Sequence, residues 1–129
     1  MIEYFPIESK APWKNADDAD LLSFDWLRET ATFATSDDDR LLEVSFLGSD
    51  VIVRMLDEFP LSTESGPDDW VGLIPHHFAY RVEGDPFFKA QSGAWREVVG
   101  SPKHYRFLTG SGCLDVISSG VPTFRLFKR

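Results

Sequence analysis

Alternating apolar and polar residues, abundant turn formers and two Gly-Ser turn pairs predict a mainly β protein. The expected form is an antiparallel β-sandwich or partly open barrel of about seven strands, with one or two short helices. Eleven Phe and four Trp, set among eight Pro and nine Gly, favour short strands and many turns over long helices. The strand–helix alternation of a doubly wound sheet is missing. At 129 residues the chain is expected to form a single domain, 1–129, around one core.

Residues 1–20, with Pro6, Pro12 and the acids Asp17, Asp18 and Asp20, read as a surface-running N-terminal arm in which Ile2–Ile7 pairs at a sheet edge. Asn15 or Asp17 is a candidate cap for a short helix through Leu21, Leu22 and Phe24. The β-branched content of Trp26–Thr35 predicts a strand, and three consecutive Asp make Ser36–Arg40 a turn.

A hairpin is then expected about Gly48-Ser49. Phe46 would face Val51, Val44 Val53 and Leu42 Met55 on a wholly apolar face, with a Glu43–Arg54 cross-strand pair on the other. Pro60–Asp69 is the clearest loop, and Trp70–Pro75 leads back toward the core. His77–Gly84 alternates as a strand that places Phe78, Tyr80 and Val82 on one face. Asp85-Pro86 is a turn signal. Ala94, Trp95, Val98 and Val99 suit a short helix, whereas residues 86–91 suit an edge strand or a loop.

The most informative stretch is His104–Ile117. With Gly110-Ser111 as the loop, Phe107 faces Leu114, Arg106 faces Asp115 and Tyr105 faces Val116. Tyr105, Phe107, Leu114 and Val116 then share an apolar face, and a one-residue slip would place Asp115 on it. The other face carries His104, Arg106 and Asp115, read as a cross-strand ion pair on a solvated surface. Gly120-Val121-Pro122 turns the chain into a final strand, Thr123–Lys128.

The net charge of −8 is unevenly spread: residues 1–70 hold 17 acids against 5 bases, and residues 103–129 hold 5 bases against 1 acid. This balance argues against nucleic acid and anionic membrane surfaces as partners, and it suits a basic protein. The single cysteine, Cys113, has no intramolecular disulfide partner. The sequence begins without a basic, apolar leader and contains no run of about 18 apolar residues, so a cytoplasmic protein is the default expectation.

Catalytic and metal signatures are missing. His76 and His77 are adjacent and would point to opposite faces of a strand. His104 and Cys113 lie far apart along the hairpin, so neither set suggests a metal site. Cys113 has no identifiable base, and Thr109-Gly-Ser-Gly lacks the helix and lysine of a phosphate loop. No cofactor and no catalytic residue is expected.

The expectation is therefore a non-enzymatic, acidic protein-interaction domain that binds or neutralises a basic partner. Its contact surface would draw on Asp17, Asp18, Asp20, Asp37, Asp38, Asp39, Asp68 and Asp69, with Trp13 or Trp70 as an apolar anchor. In gross character alone, and in no motif, it resembles small toxin-immunity proteins. The alternative is a small-ligand-binding barrel or sandwich with a pocket lined by Phe78, Tyr80, Tyr105 and Phe124.

Overall fold

A computed structural model describes residues 2–7, 19–46, 50–57, 70–110 and 112–128. Among these residues, ten strands and two short helices follow in the order β1 (Ile2–Pro6), β2 (Asp20–Asp25), β3 (Thr30–Ala34), β4 (Arg40–Ser45), β5 (Val51–Leu56), β6 (Trp70–Val71), β7 (Ala79–Glu83), α1 (Pro86–Lys89), α2 (Gly93–Val99), β8 (Lys103–Leu108), β9 (Cys113–Ser118) and β10 (Thr123–Lys128). They form a six-stranded sheet, β5-β9-β8-β7-β1-β6, and a four-stranded sheet, β10-β4-β3-β2. The fold is an open β-sandwich, richer in strands than the expected seven.

The β8–β9 hairpin has the expected register, with Arg106 opposite Asp115 and Phe107 opposite Leu114. The Thr109 N–H donates to the Gly112 carbonyl at 2.9 Å to close the turn. Gly112 is required by close approach: a Cβ there would lie 2.1 Å from the Leu56 carbonyl oxygen. The final strand, β10, occupies its expected residues.

The expected β4–β5 hairpin does not form. β4 pairs with β3 and β10, whereas β5 pairs with β9 in the other sheet, so Glu43 meets Arg125 and Arg54 meets Asp115. Leu42, Val44 and Phe46 do turn inward, as does Val51, but from opposing sheets across the core. Two apolar faces satisfy each other equally well side by side or face to face, and the second arrangement won. Met55, assigned to the same face, is 58% exposed near the end of edge strand β5.

Four further expectations are corrected. The stretch through Leu21, Leu22 and Phe24 is strand β2, with a bulge between Leu21 and Ser23. The bulge absorbs the extra residue, Leu22, and lets Leu21 and Phe24 both pack inward; it also mimics helical spacing. Trp26–Glu29 is a turn, and the strand begins only at Thr30. Residues 86–89 are helix α1, begun by Asp85 as N-cap and Pro86 in the first turn. α2 coincides with the expected short helix. Ile2–Ile7, expected at a sheet edge, lies largely within β1, one strand in from the edge, and pairs with β7 and β6.

Across the four-stranded sheet, Leu21–Phe33–Leu42–Leu126 and Phe24–Ala31–Val44–Phe124 are the inward rows. Phe107 meets them from the other sheet, with its ring centroid 6.0 Å from Phe33, 6.2 Å from Phe46 and 6.4 Å from Phe124. The outer side of the six-stranded sheet holds a second cluster of Ile2, Tyr4, Tyr80 and Val82, with Trp70 and Leu73 packed against it. Phe78, expected beside Tyr80 and Val82, lies instead between the sheets against Phe33.

Candidate functional site

The outer side of the six-stranded sheet also carries the densest cluster of ionisable groups among the described residues. Strand register sets Arg54, Asp115, Arg106 and Tyr80 in one row across β5, β9, β8 and β7. Alternation along β8 places His104 on the same face, two residues from Arg106. The α1 N-terminus closes over them: Asp85 caps the helix by accepting the Phe87 N–H at 2.8 Å. The Phe87 ring lies under the Arg54 guanidinium and edge-on to His104.

Asp115 is the hub. One carboxylate oxygen accepts from His104 Nε2 at 2.6 Å and Arg106 Nε at 2.7 Å. The other accepts from Arg54 Nε at 3.0 Å and Nη2 at 2.8 Å. Arg106 also donates to Tyr4 Oη at 2.7 Å and to Asp85 Oδ2 at 2.8 Å. Arg106 is 1% exposed and Asp115 0%, so the expected ion pair exists but not on a solvated surface. A second carboxylate, Asp85, joins it from 21 residues away in sequence. Local pattern could not reveal that contact, although Asp before Pro marked the turn that delivers it.

Burial alone would raise the Asp115 carboxyl, but the His104 hydrogen bond and the Arg106 charge outweigh it and hold the group well below the usual carboxylate range. Burial likewise disfavours the charged form of Arg106, yet Asp115, Tyr4 and Asp85 outweigh it and keep the guanidinium charged. Because ionised Asp115 only accepts, His104 Nε2 must donate to it. The other ring nitrogen, Nδ1, is buried and has no hydrogen-bond partner among the described residues. Two carboxylates thus meet two guanidiniums in a network that orders side chains, with Asp85, His104, Arg106 and Asp115 buried and Arg54 part-exposed.

A cavity of about 220 Å³ adjoins the network, lined by Arg81, Val82, Glu83, Phe88, Lys103 and His104 among others. Of the rings expected to line one ligand pocket, Phe78, Tyr105 and Phe124 belong to the inter-sheet core and Tyr80 to the other cluster, so they do not converge. His77 approaches the Ile7 carbonyl at 3.2 Å, and His76 occupies a turn with φ +64°. Cys113 is buried. Among the described residues, no group of three His, Cys, Asp or Glu side chains is arranged to hold a metal ion. None of their helices is long and apolar enough to cross a membrane.

The acidic candidates divide. Asp17, Asp18, Asp68, Asp69 and Trp13 lie outside the described residues. Asp20 opens β2, and Asp37, Asp38 and Asp39 form the β3–β4 turn; all four are exposed. The pairing Asp20–Ala34 brings them to the same end of the four-stranded sheet. Trp70 lies in β6, half-buried against the Ile2–Tyr4–Tyr80–Val82 cluster and on the other sheet from these acids. Comparison with protein-family models, curated proteins and solved structures gives no match.

Proposed function

We propose that the chain is a non-enzymatic acidic interaction domain that binds a basic protein partner. The reading is carried by the row Asp20–Ala34–Leu41–Phe127, which crosses all four strands on the outward face of the smaller sheet. Ala34, Leu41 and Phe127 are only partly buried, and Asp37, Asp38 and Asp39 project beside them. Arg40 offsets part of this charge through Asp37 at 3.6 Å. An apolar strip with a charged rim has the make-up of a protein–protein contact surface, and it takes the anchoring part first assigned to Trp13 or Trp70. The buried network on the other sheet is then scaffold.

The test is capture from the native host with the tagged protein at low salt. A basic partner should be retained at about 50 mM salt and released at several hundred millimolar, because exposed charges are screened. The triple variant Asp37→Asn, Asp38→Asn, Asp39→Asn should lose most of it. Undiminished capture by that variant, or nothing above background at low salt, would overturn the reading.

A further inference from the structure

A second surface, at the opposite end of the four-stranded sheet, is chemically more specific. Trp26, Glu29, Asp50, Val51 and Trp95 line a groove of about 430 Å³. They come from three separate stretches: the β2–β3 turn, the start of β5, and α2. Five residues of β2 separate this end from Asp20, about 17 Å of extended chain.

The groove is held from beneath. Asp25 Oδ1 accepts the N–H groups of Leu27 and Arg28 at 3.0 and 3.2 Å, which shapes the turn that carries Trp26. Glu29 has φ +52°, and its carbonyl accepts the N–H of the buried core residue Phe46 at 2.9 Å. Trp95 is set by the start of α2, where Ser92 Oγ accepts its backbone N–H at 3.3 Å. Trp26 is nonetheless 64% exposed, a large ring held in water by a turn pinned to the core.

We propose that this groove is a socket for an arginine side chain of the basic partner, an inference that rests on the interaction reading above. An indole face attracts a cation through its quadrupole, and a guanidinium stacks on it while its N–H groups reach carboxylates. Two indoles with the Asp50 carboxylate supply both features, and Glu29 adds its negative charge to the groove's lining. An uncharged apolar occupant would strip water from the Asp50 carboxylate without replacing its hydrogen bonds, which is unfavourable. The chain's net charge of −8 draws the same class of ligand.

The probe is the tripeptide acetyl-Gly-Arg-Gly-amide, titrated into the ¹⁵N-labelled protein at low salt while the tryptophan indole N–H signals are followed. The Trp26 and Trp95 signals should move and saturate together, while that of Trp70, in the other sheet, stays put. The citrulline peptide, nearly the same shape without the charge, should bind about tenfold more weakly or worse, as should the peptide with Asp50→Asn and with Trp26→Ala, followed there through Trp95. Unmoved Trp26 and Trp95 signals, equal response to citrulline, or wild-type titration of both variants would overturn the socket. If the socket fails while salt-sensitive capture through Asp37–Asp39 persists, the interaction reading stands. If capture fails while the arginine peptide still saturates, the interaction reading falls, and with it the assignment of the groove to a basic protein partner, although the groove still binds arginine.

Discussion

Asp115 accepts four N–H hydrogen bonds from His104, Arg106 and Arg54 with none of its surface open to water. Replacing it by Asn keeps the shape but removes the carboxylate that Arg54 and Arg106 share, leaving the buried Arg106 with Asp85 as its remaining carboxylate partner in the network. Asp115→Asn should therefore lower unfolding free energy by about 3–5 kcal/mol in urea titrations at neutral pH, the cost of breaking a buried pair from one side. The pH dependence has a definite sign. The folded carboxyl titrates below its unfolded counterpart, so its contribution is complete above the unfolded pKa of about 3.9 and fades as pH falls through the folded value. The stability gap between wild type and Asp115→Asn should stay constant above about pH 5 and narrow below about pH 4. A gap independent of pH down to acid unfolding would show that the charge on Asp115 does not matter.

Strand β2 shows how one residue sets the face of a whole element. Leu21 and Phe24 both pack inward because the bulge between Leu21 and Ser23 takes up Leu22, which is left 49% exposed. Inserting one Ala between Ser23 and Phe24 instead adds a residue that the bulge does not take up, and turns Phe24 away from the core. That insertion should cost about 2–4 kcal/mol, comparable to losing a buried large side chain, whereas Leu22→Ser should stay within about 0.5 kcal/mol. Thermal unfolding of the two variants side by side checks this. Equal effects would mean that the phase of β2 does not decide which of its side chains reach the core.

The sandwich as a whole depends on contacts between sheets that share no strand pairing. Phe107, on β8, reaches Phe33 and Phe124 of the four-stranded sheet and Phe46 just beyond it, and also lies 5.6 Å from Phe78. Phe107→Ala should destabilise by about 3–5 kcal/mol, since the facing rings cannot close over so large a void. Met55→Ala, although Met55 alternates in phase with Val51 and Val53, should change stability by less than about 0.5 kcal/mol because Met55 is already largely in solvent. Denaturant titration of both measures the contrast. A small loss at Phe107 would mean the two sheets are held by something other than this aromatic cluster.

What could be read from the chain alone were the features with local causes. Turn chemistry at Gly110-Ser111 and strict alternation on either side determined the β8–β9 register, including Arg106 opposite Asp115, and the same pattern located β7, β10 and α2. Each of those depends on residues a few positions apart. The partner of β5 did not follow in this way, because the apolar face of β4 would have matched it just as well as a neighbour in one sheet. Only packing the two sheets against each other decided that it joins β9. That choice moved Arg54 from Glu43 to Asp115 and, with Asp85 delivered by the α1 turn, changed an expected surface ion pair into a buried network. The Trp26–Trp95 groove has the same origin: its lining residues span 70 positions of sequence and meet only when both sheets and α2 are in place. Alternation and turns act over a few residues, whereas the pairing of distant faces is settled by the energy of the whole core.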